Sequence, residues 1–279
     1  MKGSSILWKV LAAVFIILAA ALGIYGAITF AAAGGFGAQN WVFGVAFLSL
    51  GIGTWHIIAA PFWIVGTILF FMEMFGYTIK GFKISKYKLR WDSVDIATAA
   101  LSAAVYGGGL AATGGLTIIP GFTWIRPANA LAPLFGLLFG VPGALGVAIG
   151  NLLADSLAGY LGWGSLGGGF IGNFLLAYVP YKFVRDHSLR DARSVAEYYL
   201  FGVILGSVWC SFYISWFLSY FNTLTGVIGL PPLFVWGIFS PFVIINNAIA
   251  EIFTPLLVYP LYPLVKNWGL HWSDRIQWL

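Results

Sequence analysis

The sequence predicts an all-α integral membrane protein with about eight transmembrane helices. Three observations lead there. First, 60% of the 279 residues are hydrophobic and 8% are charged, with a mean hydropathy of +0.91. Soluble domains carry about 25% charged residues, and a surface this poor in charge would aggregate in water. Second, the apolar runs are about 20 residues or longer, the length of a spanning helix rather than of an alternating barrel strand. Third, all but one of the 14 Lys and Arg residues fall in four short clusters between those runs. The clusters are Lys2 and Lys9; Lys80, Lys83, Lys86, Lys88 and Arg90; Lys182, Arg185, Arg190 and Arg193; and Lys266 and Arg275. The positive-inside rule places all four in the cytoplasm. The net charge of +5 therefore reports orientation and contact with anionic lipid, not nucleic-acid binding.

Parity then orders the elements. The first crossing runs from about Ile6 to Phe30, and a signal anchor is favoured over a cleaved signal peptide because the apolar run exceeds the usual 7–15 residues. Ala31 to Asn40 is an uncharged external loop. Trp41 to Tyr77 must cross once, yet as one helix it would be about 55 Å long. A break between Gly51 and Pro61 resolves this, the first part lying at the outer interface and the second spanning. These two spans and their basic linker form a first unit, residues 1–90.

A six-span module, residues 91–279, follows. Val94 to Leu116 crosses outward. Asn129 to Phe139 re-enters as a short span and turns at Gly140-Val-Pro-Gly143. Ala144 to Leu157 returns, and Gly159 to Gly169 forms an external glycine-rich loop. Phe170 to Tyr181 descends, Val195 to Tyr220 ascends, and Leu233 to Leu264 comes back. Both termini are cytoplasmic.

Arg126 is the cation outside the map, alone on the far face in an apolar loop bracketed by prolines. It has three readings: a snorkelling anchor, a partner for Asp155, or a ligand contact. Six of the acids, Asp92, Asp95, Asp186, Asp191, Glu197 and Asp274, lie in or beside the basic clusters, where solvated pairing is expected. Glu73 lies a turn inside the Lys80 cluster, within snorkelling reach of Lys80. Asp155 and Glu251 lie well within spans, where an ionisable residue marks a functional site by default. Asn151 and Asp155 share a helical face, as do Asn247 and Glu251. Interhelical hydrogen bonding is the alternative role for these asparagines and for Asn173. Trp124, Trp163 and Trp236 lie near the outer end, where they could stack on a flat ring or simply sit at the interface.

There is no P-loop, no H-E-x-x-H, no G-x-S-x-G and no paired His/Cys ligand set. Cys210, the one cysteine, excludes an internal disulfide, and His56, His187 and His271 are scattered. No catalytic residue, metal site or cofactor is expected.

The stretch Ile118 to Asp155 resembles the substrate-binding (S) component of energy-coupling-factor transporters, closest to the queuosine-precursor type. The likeness lies in the external loop ending at Arg126-Pro127, the Phe139-Gly140 turn and the Gly150-Asn151…Asp155 helix, and it extends over roughly Asp92 to Lys266. It implies capture of a small vitamin-like or nucleobase-like molecule from outside, with no chemistry. A separate transmembrane coupling subunit and two ATPases would drive toppling in the plasma membrane of a prokaryote. Arg126, Asn129, Asn151, Asp155 and Glu251 become the polar points of the pocket, with Asn173, Asn247 and Trp124 as further contacts. The overlapping pairs Ala99/Ala103 and Ala100/Ala104 would dock on the coupling subunit. Residues 1–90 depart from the family pattern. They leave open a second class of function, an accessory subunit of a larger membrane complex, and a third, an intramembrane enzyme using Asp155 and Glu251.

Overall fold

A computed structural model describes residues 2–32, 41–81, 83–88, 91–113, 126–159, 161–226 and 230–279. The chain is mostly helical. Among the described residues, five helical stretches are long and apolar enough to cross a membrane: Ile52–Met74, Ser93–Thr113, Pro127–Leu157, Ala192–Phe221 and Pro232–Glu251. A shorter apolar stretch, Ile6–Ala21, lies in α1 (Lys2–Ala32).

The expected break in the second apolar run occurs at Gly51, between α2 (Val42–Ser49) and α3 (Ile52–Met74). Its φ of 79° is left-handed backbone that glycine adopts without penalty. Pro61 stays inside α3. The Trp216 indole donates to the carbonyl of His56 and the Trp209 indole to that of Phe62, so side chains of a neighbouring helix serve the backbone flanking the proline.

After a short hairpin, β1 (Tyr77–Lys80) and β2 (Lys83–Lys86), α4 (Ser93–Thr113) leads into the core. A 3₁₀ turn, Pro127–Ala130, opens α5 (Leu131–Leu157). The predicted turn is a corner at Gly140 (φ 59°), dividing α5 into arms 131–139 and 141–157. A Cβ there would lie 2.3 Å from Cδ1 of Trp272, so only glycine fits both the conformation and the contact. Small residues let α4 and α5 touch backbone to backbone: a Cβ on Gly146 would meet Ala99 O at 2.4 Å, and one on Gly150 would meet Ala103 O at 2.7 Å.

The segment Gly164–Gly169, expected as a loop, is instead a widened helical turn running into α6 (Phe170–Phe183). Its glycines admit large side chains of α8, and a Cβ on Gly167 would lie 2.0 Å from Phe217. α7 (Ala192–Glu197) continues through a widened stretch, Tyr198–Gly206, into α8 (Ser207–Thr225). The last predicted span is two helices in its inner part. α9 (Pro232–Phe234) and α10 (Ser240–Glu251), joined through Val235–Phe239, end before α11 (Thr254–Asn267). The carbonyls at that break are satisfied by tyrosines: Tyr198 donates to Glu251 O at 2.7 Å and Tyr199 to Ile252 O at 2.9 Å.

Contacts gather the four basic clusters at one end. Arg193 lies over the Trp8 ring, Lys182 meets Thr78 of the hairpin, and Lys80 lies over Trp278. The C-terminal residues follow the short α12 (Trp272–Arg275) and extend the hairpin through a bridge between Tyr87 and Trp278. Arg275 pairs with Asp92 at 2.6 Å and Asp95 at 3.0 Å. The backbone N–H of Asp95, and then Arg275, hold the Asp92 carboxyl below its usual range. Burial, with His187 and Lys266 nearby, pushes His271 down to about 4. Glu73 does not reach Lys80. It is 1% exposed and accepts from Thr78, from Tyr178 at 2.6 Å and from Tyr87 at 3.1 Å, with Lys182 at 3.5 Å. It therefore ties α3 and the hairpin to α6.

Candidate ligand cavity

At the end away from the basic clusters, the helices enclose a cavity of about 510 Å³, within the size range of small-molecule sites. α6 shows the polarity of the bundle: Asn173 lines the cavity, and Lys182 lies nine residues further along, about 14 Å down the helix axis. Apolar walls come from Ile214 and Leu218 of α8 and from Phe239, Phe242 and Val243.

The polar groups come from five elements. Arg126 and Asn129 enter from the 3₁₀ turn, Asn151 and Asp155 from the outgoing arm of α5, Ser165 from the widened turn, Asn173 from α6, and Asn246 and Asn247 from α10. The corner at Gly140 makes this possible. Asn129 and Asn151 precede and follow it, and folding the arms back brings both to one chamber.

Hydrogen bonds hold most of these groups in place. The Tyr106 hydroxyl lies 3.1 Å from Asn129 Oδ1 and 2.9 Å from Asn173 Oδ1, and its single proton serves one of them at a time. The Asn129 amide donates to Asn247 Oδ1 at 2.6 Å, and the Asn173 amide to Gly169 O at 2.9 Å. Asn151 donates to Asp155 Oδ2 at 2.9 Å. The Arg126 backbone N–H donates to Asn246 Oδ1 at 2.8 Å. Asn247, 3% exposed, is different: its Nδ2 has no partner among the described residues.

Of the residues singled out from sequence, Arg126, Asn129, Asn151, Asp155, Asn173 and Asn247 meet at this cavity. Glu251 does not line it. It is 0% exposed, one turn behind Asn247, where its Oε2 accepts from Ser207 at 3.2 Å and Oε1 has no partner among the described residues. Trp124 lies outside the described residues. Trp163 lines the cavity, 60% exposed, whereas Trp236 is stacked on Trp55 in a separate aromatic cluster. Sequence reasoning did not assign Tyr106, Asn246 or Ser165 to the site, nor Cys210, which also lines the cavity. Asn246 was within reach, since it precedes Asn247; Tyr106 carries no signal until α4 is packed against α5 and α6.

Of the two alanine pairs, Ala99 and Ala103 are buried against α5, while Ala100 and Ala104 face outward from α4.

A family model described as QueT transporter matches residues 96–266, more than half of the chain. The chain belongs to the QueT transporter family. This family comprises queuosine-precursor S components of energy-coupling-factor transporters; with its apolar helices, membership makes the chain a multi-pass membrane protein and implies a non-enzymatic transport role. No curated relative and no solved structure matches the chain. The matched segment starts inside α4 and ends at Lys266, so α1 to α3, the hairpin and the C-terminal residues lie beyond it.

Proposed function

We propose that this chain captures a queuosine precursor at the outer face of a prokaryotic plasma membrane and depends on a separate coupling subunit and ATPases for import. In this reading residues 91–279 form the six-span binding module, residues 1–90 add two spans, and both termini are cytoplasmic. The cavity is the binding site, with Arg126, Asn129, Asn151, Asp155, Asn173 and Asn247 as ligand contacts.

The Asn247 amide carries this reading. A buried donor without an acceptor costs about 1–3 kcal/mol, and a ligand oxygen or ring nitrogen in the cavity removes that cost. The surrounding amides are fixed by mutual hydrogen bonds, so their remaining donors and acceptors form a preset pattern for the edge of a heterocycle. Asp155 offers a carboxylate to an amine on the ligand. Glu251 lies behind this wall, bonded to Ser207 and outside the ligand contacts.

The test is native purification followed by mass spectrometry of bound small molecules and co-purifying proteins. A nucleobase-like queuosine precursor and a coupling subunit with ATPases are expected. A stoichiometric non-ATPase partner with no small ligand would replace this reading with the accessory-subunit one.

A further inference from the structure

The β1–β2 hairpin lies outside the matched family segment and away from the cavity. Gly76, at φ 78°, turns the chain directly from the end of α3 into β1. The hairpin thus begins where a membrane span meets the headgroups. Its parent helix presents Ile57, Ile64, Ile68 and Phe71 outward, so the hairpin hangs from a lipid-facing part of the bundle.

The strand register sorts its side chains. Tyr77 pairs with Lys86 and Ile79 with Ile84 on one face, and Thr78 with Ser85 on the other. The Thr78 face is buried on Glu73 and Lys182. The opposite face is uncovered: Tyr77, Ile79 and Lys86 are exposed, and Ile84 is 70% exposed. Lys88, exposed, follows β2 on this face; Lys80 and Lys83, also exposed, pair at the turn and by alternation start from the Thr78 side, with Lys80 over the Trp278 ring. None of these four lysines is in an ion pair among the described residues: of the acids on either side in sequence, Glu73 is turned inward and Asp92 is paired with Arg275. An apolar centre with a tyrosine and a rim of lysines suits the membrane–water interface; in water the same strand pair would invite aggregation.

We propose that this face is a docking site for anionic phospholipid headgroups of the cytoplasmic leaflet. Tyr77, Ile79 and Ile84 rest in the acyl boundary, Lys86 and Lys88 bind headgroup phosphates from the same face, and Lys80 and Lys83 reach them from the hairpin tip. Charge complementarity selects the occupant: that leaflet is negatively charged, and each basic residue near it strengthens association about fivefold, or ~1 kcal/mol.

The test uses the full chain in detergent, titrated with phosphatidylglycerol or phosphatidylcholine and read by native mass spectrometry. Retention of phosphatidylglycerol over phosphatidylcholine is expected, weakening as salt is raised. A variant carrying K80Q, K83Q, K86Q and K88Q should lose at least about tenfold in phosphatidylglycerol affinity. Ile84→Gln should weaken both lipids while leaving the salt dependence in place. Equal retention of the two lipids by the unmodified chain, or undiminished phosphatidylglycerol binding by the quadruple variant, overturns the proposal. Protection of residues 77–88 from hydrogen exchange by a coupling subunit but not by phosphatidylglycerol does so too, and would make this face a protein interface. Raising salt on the unmodified chain decides the matter if the variant fails to fold.

Discussion

Removing the Glu73 carboxylate should loosen the joint between α3 and the rest of the bundle. Its two oxygens accept from Thr78, Tyr87 and Tyr178, and Lys182 lies at 3.5 Å while itself only 17% exposed. Glu73→Ala leaves the Thr78 and Tyr178 hydroxyls short of an acceptor and the lysine without its counter-ion, while Tyr87 keeps the residue-73 carbonyl at 3.0 Å. Breaking a buried pair by deleting one partner costs about 3–5 kcal/mol. At about 2–4 °C per kcal/mol for a chain of this size class, the midpoint of thermal unfolding in detergent should fall by roughly 6–20 °C. Glu73→Gln keeps the shape and one acceptor, so its fall should be about half as large. Adding Lys182→Met to Glu73→Ala removes the stranded charge and should recover roughly 1–3 kcal/mol, a coupling within the range for contacting residues. Ligand binding should survive in all three, because the cavity is at the other end. A midpoint shift below about 2 °C for Glu73→Ala, or additive effects in the double variant, would refute the assignment of this cluster as the joint.

Three further outcomes follow from the same coordinates. Ala100→Leu with Ala104→Leu, on the outward side of α4, should block assembly with a coupling subunit in pull-down while leaving ligand affinity intact. Ala103→Leu, aimed at the α4–α5 contact, should cost roughly 1–3 kcal/mol of stability by overpacking, read from thermal unfolding. His271 binds its proton less tightly when docked than the ordinary histidine value of 6.5, being lowered to about 4. Docking of the C-terminal residues is thus fully favoured above pH 6.5 and weakens as pH falls from there toward 4. Protection of residues 268–279 from hydrogen exchange, corrected for the slower intrinsic exchange at low pH, should fall from pH 7 to pH 5, and His271→Asn should flatten that dependence.

Much of this architecture was legible because the membrane constrains sequence so strongly. Apolar length, charge asymmetry and glycine punctuation located α4, the Gly140 corner, α6 and α8 closely. Two boundaries were missed for physical reasons. Gly164 to Gly169 reads as loop by composition, yet its glycines are there to admit Phe217 and Ile214 of α8. The break between α10 and α11 has no glycine; its one mark in the sequence is Pro255 in the first turn of α11, and its carbonyls are satisfied by Tyr198 and Tyr199, about fifty residues away. The site was legible as a set of intramembrane polar residues, which are costly in lipid and so stand out. Their hydrogen-bond order was not. That Glu251 lies behind the wall while Asn246 lies in it depends on helix rotation, and helix spacing alone places Asn247 and Glu251 together without saying which of them faces the chamber.

The most direct measurement is equilibrium binding of a queuosine-precursor base to the purified chain, with Asn247→Leu alongside. Saturable binding at one site is expected, weakened about ten- to hundredfold by the substitution, the equivalent of one lost buried hydrogen bond; losing the acceptor of the Asn129 amide lowers stability by about 1–3 kcal/mol as well. No saturable binding by the unmodified chain, or equal affinity in Asn247→Leu, would contradict the assignment of this cavity as the ligand site.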